Sequence, residues 1–495
     1  MELDRRRFLR TSAAAAASVV AAPHVLSGCA DGQDVAALAD SVTGRLILPG
    51  DPAFEWAATP HNLATNSGPP SAILFAADAD DVSRALSYAR DNNIPLVARG
   101  GGHSYAGYST TPGLQVSLAA MSDVSLFGDV ATVGAGAVLV TVYEQLAQSG
   151  RLLPAGSCPT VGIAGFALGG GFGFESRQYG MLSDRMCRAT VVLADGSVVE
   201  ATDSSEPDLF WALRGGGGGN FGIVTEFGFE TSGAADVSVF QLIWNFDRAI
   251  DVFAAWQDLI ATMPSELTPI LKLINGAGSG SPTVQVVGQF VGSEAELRDL
   301  IQPLAAIPDL TTQSVDALSW IESVYFQAGC TGIQQCQREP VGKAGSGHAY
   351  YKSAFTREPY GNDALETAID AVANWPLAGV TCVLEFDSYG GAINDVDPTA
   401  TAFVHRDELF LCQYQAYFSG DDPFAATSAR AALTDVWERL APYNSGFSYQ
   451  NYIDPLQDNW QQAYYGENLD RLIDVKTQYD PTNFFSFAQS IPVRA

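Results

Sequence analysis

The amino-acid sequence predicts an α+β protein of two domains, and three observations support this prediction. The chain has 495 residues, which is more than a single ordinary hydrophobic core requires. Between about Ala72 and Phe229, helix-like and strand-like patterns alternate in short segments. From about Ala235 onward, long strand-like runs alternate with longer helices, which is typical of an antiparallel sheet covered by helices.

In the first region, the apolar spacing of Asp80 to Asn92 predicts an amphipathic helix. The run Ile94 to Ala98 predicts a short buried strand that leads directly into a glycine cluster. Val138 to Ser149 predicts another helix, which ends at Gly150 because glycine commonly terminates helices. Further strands are predicted at Leu114 to Leu118, Val130 to Val133, Thr190 to Ala194, Ser197 to Glu200 and Ile223 to Phe229, with an Asp-Gly hairpin turn between the third and the fourth.

The second region has longer elements. Its predicted strands are Val237 to Trp244, Thr283 to Phe290, Val380 to Phe386 and Leu409 to Phe418. Its predicted helices are Ala249 to Thr262, Glu294 to Leu304 and Phe424 to Leu440. The chain after Tyr449 is rich in aromatic and amide side chains, and a last helix is predicted around Leu469 to Thr477.

The charge of the chain argues against a nucleic-acid partner. The formal net charge is −29, and no cluster of basic residues follows the first ten residues. Binding of nucleic acid requires clustered lysine and arginine to neutralise phosphates. The acidic surplus itself indicates little beyond solubility.

The first 30 residues predict an export signal. Arg5 and Arg6 precede a short, alanine-rich apolar run from Thr11 to Ala22, which is the pattern of a twin-arginine signal peptide. The run is too short and too weakly apolar to favour a membrane span. The sequence before Cys29 resembles a lipoprotein cleavage site, so two outcomes stay open: a secreted protein, or one anchored to a membrane by a lipid on Cys29.

The chain has seven cysteines. The spacing of Cys330 and Cys336 allows a disulfide across a short polar loop, which export permits. Cys382 and Cys412 lie in apolar strand-like runs and are interpreted as core residues. No C-x-x-C pair, H-E-x-x-H motif or G-x-S-x-G motif is present, so the sequence predicts neither a metal site nor a serine hydrolase.

Three glycine-rich segments carry the most specific sequence patterns: RGGGHSYAG from Arg99, GSCPTVGIAGFALGGGFG from Gly156, and RGGGGGNFG from Arg214. Large apolar residues such as Ile163 and Phe221 stand among these glycines, which a flexible linker does not need. Backbone N–H groups in such loops bind anions such as a pyrophosphate. The third segment formally matches G-x-G-x-x-G, but it follows a helix and precedes a strand, the reverse of the Rossmann context.

These motifs, together with FWALRGGGGGNFGIVTEF and the later YQNYIDP and YYGEN, resemble the berberine bridge enzyme-like branch of the vanillyl-alcohol oxidase flavoproteins. The resemblance covers the chain from about Ala72 to Ile491. It implies an FAD-binding domain of the two-part PCMH type over 65–234 and a substrate-binding domain over 235–440. A C-terminal berberine-bridge-like segment, 441–495, is expected to return to the FAD-binding domain.

The resemblance also implies that FAD is held by two covalent bonds. A histidine in the RGGGHS loop bonds the 8α methyl carbon of the flavin in this family, and a cysteine in the CPTVG segment bonds ring carbon 6. The matching residues are His103 and Cys158. Two bonds raise the reduction potential of the ring, while the protein supplies a base and orientation. Further cofactor contacts are expected at Arg99, Gly100, Gly101, Gly102, Ser104, Val161, Gly162, Gly165, Gly222, Ile223, Val224 and Asn451.

A tyrosine is expected to act as the catalytic base. The segment from Tyr449 to Tyr452 resembles the YxNY pattern of the family, whose tyrosine removes the proton of the substrate hydroxyl. In a strand, Tyr449 and Asn451 share a face, which favours Tyr449 over Tyr452. A phenol has an ordinary pKa of about 10, so a polar neighbour is required. Asp387 and Tyr389 resemble the second active-site position of the family, and Asp387 is expected to polarise the base.

The expected reaction is the oxidation of an alcohol or lactol carbon of a carbohydrate or glycosylated metabolite, with O2 as the acceptor and H2O2 as the product. Val161 occupies the position where a small residue leaves room for oxygen in this family. Two alternatives stay open: a flavin dehydrogenase with another electron acceptor, and a flavin-binding surface protein without activity. The substrate cleft is expected among Trp320, Tyr325, Phe326, Tyr351, Gln413, Gln415 and Tyr417.

Overall fold

The structure is a computed structural model that describes residues 32–65, 67–277, 281–337, 347–420 and 423–494. The segment predicted as an export signal, including Cys29, lies outside the described residues. Across these ranges, no helix combines the length and the hydrophobicity that a membrane crossing requires.

The first part of the chain forms a small mixed sheet with helices on its flank. Over the described residues its strand order is β1-β2-β4-β3, in which β4 pairs parallel to both β2 and β3, and β1 is antiparallel to β2. The elements in chain order are α1 (Gly32–Ser41), β1 (Arg45–Ile47), α2 (Phe54–Ala58), β2 (Ala72–Phe75), α3 (Ala79–Asp91), β3 (Leu96–Arg99) and β4 (Leu114–Ser117).

A second, antiparallel sheet follows, with the order β5-β6-β10-β8-β9 in the part of the chain that is described. The strand pair β7 and β11 lies beside it. The elements are β5 (Val124–Phe127), β6 (Val130–Gly134), α4 (Leu139–Ala147), β7 (Arg151–Leu152), α5 (Ile163–Leu168), α6 (Ser176–Tyr179), β8 (Met186–Val192), β9 (Val198–Ala201), α7 (Pro207–Leu213), β10 (Ile223–Glu230) and β11 (Ser232–Gly233).

The third sheet is larger and antiparallel throughout, with the order β15-β12-β14-β13-β17-β18-β16 among the described strands. The elements of this part are β12 (Val237–Asn245), α8 (Ala249–Ile260), β13 (Leu267–Asn275), β14 (Thr283–Phe290), α9 (Glu294–Leu300), α10 (Gln302–Ala305), β15 (Leu310–Leu318), α11 (Trp320–Gln327), α12 (Ile333–Gln337), β16 (His348–Thr356), α13 (Asn362–Ala373), β17 (Thr381–Ser388), β18 (Phe410–Phe418) and α14 (Pro423–Leu440).

Helices cover one face of this third sheet. Residues such as Leu271, Leu384 and Trp256 are fully buried in the core between α8, α13, α14 and the strands. Strand residues alternate between two faces, so Lys272, Glu385 and the other alternate positions point to the opposite face. The α+β class and the antiparallel sheet covered by helices are therefore confirmed.

The last part of the chain packs on the first hydrophobic core. It contains a 3-10 turn at Gln450–Tyr452 and the helices α15 (Trp460–Tyr465) and α16 (Leu469–Tyr479). Leu472 and Ile491 are fully buried in the same cluster as the first two sheets. The Lys476 ammonium donates to the carbonyl oxygen of Asn220 at 2.7 Å, which fixes this segment to the third glycine-rich loop.

Two local expectations were wrong. The predicted helix Glu294 to Leu304 is divided into α9 and α10 at Ile301, next to Pro303, because proline lacks the N–H that an unbroken helix needs. The chain at Tyr449 is not a strand, since Tyr449 immediately precedes the 3-10 turn. Cys330 and Cys336 form the disulfide that their spacing allowed.

Candidate active site between the glycine-rich loops and the third sheet

The first two glycine-rich segments touch through their backbones. A Cβ atom added to Gly101 would collide with the backbone nitrogen of Gly162, and one added to Gly162 would collide with that of Gly101. The second segment is in turn held by α4, because the Leu139 N–H donates to the Val161 carbonyl at 2.9 Å. His103 and Cys158 therefore lie on adjoining loops whose separation is fixed by main-chain contact.

The His103 side chain is partly buried against two neighbours. Its Nε2 atom lies 3.0 Å from the Thr160 hydroxyl, and its ring stacks on that of His61 with centroids 4.0 Å apart. Burial, followed by the nearby His61 and Arg99 charges, lowers the pKa of His103 to about 3. The imidazole is therefore neutral at physiological pH and keeps one nitrogen lone pair for bond formation.

Cys158 lies in a tight turn, in which the Val161 N–H donates to the Cys158 carbonyl at 3.3 Å. The residue keeps a solvent-accessible face and forms no disulfide. Shielding by the surrounding protein and the Glu385 charge raise the pKa of the thiol, while Lys272 opposes this effect. The thiol is therefore accessible, and its protonation is sensitive to the charges of Glu385 and Lys272 on the third sheet.

The third glycine-rich segment lies beside the second one. A Cβ atom on Gly218 would lie 3.6 Å from the Cα atom of Gly165, so the second and third segments adjoin, whereas a Cβ atom on Gly165 would meet nothing within 4 Å. This segment runs from α7 into β10, and the G-x-G-x-x-G match is thus in the reverse of the Rossmann order.

Several other residues expected to contact the cofactor have side chains that are engaged elsewhere. The Arg99 guanidinium is buried and donates to the carbonyl oxygens of Ala57 and Thr59. Ile223 and Val224 are buried in the first hydrophobic core. The Ser104 hydroxyl accepts a hydrogen bond from the Tyr108 N–H at 3.1 Å. Any contact of Ile223 or Val224 with the cofactor would therefore be made by the backbone.

Tyr449 lies at the junction of the C-terminal segment and the second glycine-rich segment. Its hydroxyl accepts hydrogen bonds from the Gly171 N–H at 2.8 Å and from the Asn451 amide at 2.9 Å. The Asn451 amide also donates to the Phe166 carbonyl. Burial raises the pKa of Tyr449, and the two donors at its hydroxyl oppose that rise because they favour the phenolate.

Asp387 and Tyr389 follow one another on and after β17, and both are buried. Burial, with a contribution from Glu385, raises the pKa of Asp387 well above its ordinary value and so favours the protonated carboxyl group. A charge on Asp387 would raise the pKa values of Tyr449 and Tyr452. Tyr389 stacks on Phe172, and its hydroxyl has no hydrogen-bond partner among the described residues.

The face of the third sheet without helices carries polar side chains. The Lys272 ammonium lies 3.1 Å from the Glu385 carboxylate, and the Gln415 amide donates to the same carboxylate at 3.1 Å. Tyr417 donates to Gln415 at 2.5 Å, and the Gln415 amide contacts Gln413. Three residues expected in this cleft lie elsewhere: Trp320 donates to Glu175 in the domain interface, Phe326 is exposed, and Tyr325 lines a separate pocket beside the disulfide loop.

Sequence reasoning missed five residues at this site. Tyr105 is stacked between Tyr351 and Tyr452, with ring centroids 3.7 and 5.5 Å away, and it stands within the RGGGHSYAG motif. The other four are His61, Thr160, Lys272 and Glu385. Thr160 belongs to the CPTVG motif. Lys272 is a charged residue within an otherwise apolar strand-like run, and this pattern could have identified it as a candidate site residue.

The residues present fit a flavin dinucleotide. Three adjoining glycine-rich loops offer backbone N–H groups and little side-chain bulk. A neutral histidine and an accessible thiol stand on neighbouring loops. In the ranges that the structure covers, no group of three or more histidine, cysteine or carboxylate side chains gathers in a way that suits a metal ion.

Comparison with family models matches residues 70–202 to the FAD binding domain family and residues 448–492 to the family described as berberine and berberine like. A Bacillus subtilis protein named an uncharacterized FAD-linked oxidoreductase is 33% identical over 91% of this chain and 97% of its own length. A xylooligosaccharide oxidase of Thermothelomyces thermophilus is 32% identical over 85% of this chain and 87% of its own.

Among solved structures, that of BBE-like 1 from Physcomitrella patens aligns with a TM-score of 0.85 and 31% identity, covering 93% of this chain and 99% of that one. The likeness thus extends over both domains and includes the glycine-rich loops and the C-terminal segment. The chain belongs to the berberine bridge enzyme-like family of FAD-linked oxidoreductases, and it is an FAD-binding enzyme that acts on CH–OH groups.

Proposed function

We propose that this enzyme is an exported oxidase that holds FAD through two covalent bonds, at His103 and Cys158. Its substrate is a carbohydrate or glycosylated compound, which loses a hydride from an alcohol or lactol carbon, and O2 accepts the electrons to give H2O2. The observation that carries the proposal is the backbone contact between Gly101 and Gly162, which holds the two attachment residues on adjoining loops.

The two attachment residues have the chemical state that bond formation needs. His103 is neutral, so a ring nitrogen is available as a nucleophile. Cys158 is accessible and free of a disulfide. FAD, when bound, would supply a hydride-accepting ring, and His103 and Cys158 would hold it through two bonds from adjoining loops.

Tyr449 is proposed to take the proton of the reacting hydroxyl group. The Gly171 N–H and the Asn451 amide donate to its oxygen, so they stabilise the phenolate that the step requires. Burial of Asp387 raises its pKa and so favours the protonated carboxyl group, which can donate a hydrogen bond. Tyr452, whose ring centroid lies 5.0 Å from that of Tyr449, is the alternative base. Tyr389 is proposed to help position Tyr449 through Phe355, whose ring packs edge-on against both tyrosines.

Val161 is proposed to leave room for O2 above the ring. It lies in the turn after Cys158, with its N–H directed to the Cys158 carbonyl. A valine at this position is smaller than leucine, and the loss of one methylene leaves space on the scale of a diatomic gas. The oxidase assignment rests on this position together with the carbohydrate oxidases among the relatives.

The substrate class is proposed from the sheet face and from the relatives. Tyr351, Tyr417, Gln413 and Gln415 provide aromatic surface and amide groups, which suit the faces and hydroxyl groups of sugars. One relative is named a xylooligosaccharide oxidase. Export by the twin-arginine route, which carries folded proteins with their cofactors, is proposed from Arg5 and Arg6.

The test is retention of flavin after unfolding. We expect acid-precipitated protein to remain yellow, and peptide masses to carry FAD at both His103 and Cys158. The variants His103→Ala and Cys158→Ala should each retain FAD through the remaining bond, whereas the double variant should release it. His348→Ala and Cys187→Ala are the matched controls, because these residues lie outside the glycine-rich loops.

Flavin that washes out of the unfolded wild-type protein would overturn the double attachment. The second measurement is the product of reoxidation: H2O2 formed in equal amount to oxidised sugar supports the oxidase. Turnover with an artificial acceptor but without H2O2 would instead identify a dehydrogenase. Absence of turnover with any sugar or glycoside would contradict the proposed substrate class.

A further inference from the structure

The third sheet places an ion pair on the face that the helices leave uncovered. Lys272 on β13 and Glu385 on β17 are directly paired in the strand register, and their charged atoms are 3.1 Å apart. Neighbours of the same strands, Leu271 and Leu384, are fully buried on the helical side. The pair therefore stands on the other side of the sheet. On that side the Gln413 amide donates to the hydroxyl of Tyr105, in the first glycine-rich segment, at 3.4 Å.

The pair is not sealed inside the protein. The side chain of Lys272 is 25% exposed and that of Glu385 is 19% exposed, so both charged groups are accessible from the cleft. The Gln415 amide donates to the Glu385 carboxylate at 3.1 Å, which orients it. Burial lowers the pKa of Lys272, but the Glu385 charge and hydrogen bond outweigh this effect and raise it, so the ammonium stays charged at neutral pH.

The pair faces the site of chemistry. A chain of contacts runs from Glu385 through Gln415 and Gln413 to Tyr105, which stands two residues after His103 in the first glycine-rich segment. In agreement with this geometry, Glu385 raises the pKa of the Cys158 thiol and Lys272 lowers it. Lys272 also opposes, and Glu385 reinforces, the raised pKa of Asp387. Desolvation raises the pKa values of Asp387, Tyr105, Tyr351, Tyr417 and Tyr452, which favours the uncharged form of each group.

We propose that the Lys272–Glu385 pair makes this enzyme selective for uncharged, polyhydroxylated substrates, and that it excludes both carboxylated and amino-bearing analogues. This inference rests on the proposed carbohydrate oxidase function. The cleft holds one positive and one negative charge in balance. An ammonium and a carboxylate about 3 Å apart match the donor and acceptor pattern of adjacent hydroxyl groups.

A charged substituent on the substrate would disturb the ion pair between Lys272 and Glu385. A substrate carboxylate attracted to Lys272 must compete with Glu385, and it leaves that carboxylate without its partner in a poorly hydrated cleft. A substrate ammonium attracted to Glu385 has the same effect on Lys272. Both analogues therefore lose affinity, although each is attracted to one member of the pair.

The test removes one charge at a time. Glu385→Gln leaves Lys272 unpaired, Lys272→Gln leaves Glu385 unpaired, and the double variant restores neutrality. The first probe is sulfite, an anion that adds reversibly to an oxidised flavin ring through a new sulfur–nitrogen bond and bleaches its visible absorbance. Compared with wild type, we expect the dissociation constant for sulfite to fall about tenfold in Glu385→Gln and to rise about tenfold in Lys272→Gln.

The control for total charge is Arg298→Gln on α9, whose ion pair with Glu294 lies on an exposed helix. It should leave the dissociation constant for sulfite unchanged, and the double variant should return it close to the wild-type value. If the two single variants shift sulfite binding in the same direction, or not at all, the charge-balance inference is overturned. This readout requires bound flavin but no substrate turnover.

The second probe is a matched sugar series that is neutral, carboxylated or amino-bearing on the same ring. The wild-type enzyme should have its highest kcat/KM with the neutral sugar. Glu385→Gln should improve the carboxylated sugar about tenfold relative to the neutral one, and Lys272→Gln should do the same for the amino sugar. Equal use of all three sugars by wild type overturns the inference. Loss of all sugar turnover with the expected sulfite shifts overturns only the proposed function.

Discussion

The hydroxyl group of Tyr449 shows how one residue links distant parts of the chain. It accepts hydrogen bonds from a glycine N–H in the second glycine-rich segment and from Asn451, two residues further along. These donors favour the phenolate, whereas burial favours the neutral phenol. Burial is the larger effect, so the pKa of Tyr449 stays raised and the resting residue is a neutral phenol, while the two donors lower the cost of forming the phenolate.

The first prediction concerns the replacement Tyr449→Phe. The phenyl ring fills the same space but cannot accept a proton, so the rate of flavin reduction by substrate should fall by about two to four orders of magnitude. Stopped-flow absorbance of the flavin under anaerobic conditions measures this rate directly. The amount of covalently bound FAD should stay the same.

Two further variants make the assignment specific. Tyr443→Phe, on the partly exposed surface, should reduce flavin at the wild-type rate. Tyr452→Phe should cause a smaller loss than Tyr449→Phe. A larger loss in Tyr452→Phe would assign the base to Tyr452 instead.

At the scale of elements, the first two glycine-rich segments touch backbone to backbone, with no side chain between them. Gly101 and Gly162 can approach because neither carries a Cβ atom. Neither residue has a positive φ angle, so the requirement for glycine arises from close approach rather than from backbone conformation. This distinguishes them from the neighbouring Gly102, whose φ angle is 73°.

We expect Gly101→Ala to separate the two loops. The added methyl group meets backbone atoms that cannot rotate away, so we predict a loss of about 1–3 kcal/mol in the free energy of unfolding, together with poor FAD incorporation. Gly100→Ala is the matched control, because its Cβ atom would lie 3.6 Å from the Ala135 carbonyl oxygen and 3.7 Å from the Ala164 side chain, which are ordinary contacts. Thermal unfolding and the ratio of flavin to protein absorbance measure both effects. Equal FAD content in the two variants would contradict this explanation.

Local pattern predicted most of these elements. The hairpin of β8 and β9, strand β14 and helix α14 lie close to their expected positions because their periodicity and turn residues are local signals. Strand β15 was missed because it is an edge strand, largely exposed and rich in threonine and serine. The turn at Tyr449 was mistaken for a strand because alternating aromatic and amide residues satisfy the same pattern.

At the scale of the whole molecule, buried polar contacts join the two domains. The Arg406 guanidinium, after β17 in the second domain, forms a two-pronged ion pair with Asp184 of the first, with distances of 2.6 and 2.8 Å. Glu175 accepts hydrogen bonds from Gln289 at 2.7 Å and from Trp320 at 2.8 Å. Such contacts fix the sheet face over the glycine-rich loops, because each one is directional.

Replacement of Arg406 by alanine should destabilise the protein strongly. The Arg406 side chain is fully buried, and its removal leaves Asp184 as an uncompensated charge that is only 11% exposed. We expect a loss of about 3–5 kcal/mol in the free energy of unfolding, measured by chemical denaturation. The exposed pair of Arg298 and Glu294 is the comparison, and Arg298→Ala should cost less than about 0.5 kcal/mol. Equal losses in the free energy of unfolding for the two variants would show that the pair of Arg406 and Asp184 stabilises the protein no more than an exposed ion pair does.

The candidate site was less predictable than the fold. The motifs around His103 and Cys158 could be recognised from the sequence because each motif is contiguous. The pairing of Lys272 with Glu385 was not, since it depends on which strands are neighbours in the third sheet, and the sequence between them includes several other strands. The same reason explains why Trp320 was expected in the cleft and instead lies in the domain interface.

The hydrogen bond from the Gly171 N–H to the Tyr449 hydroxyl has a consequence for biosynthesis. The ribosome makes the glycine-rich loops long before it makes Tyr449, so one wall of the site stays incomplete until nearly the whole chain has been synthesised. A chain that is cut short before Tyr449 lacks both the proposed base and the C-terminal contacts that hold the third loop. Completion of the active site thus reports that the chain has been made and folded at least as far as Tyr449.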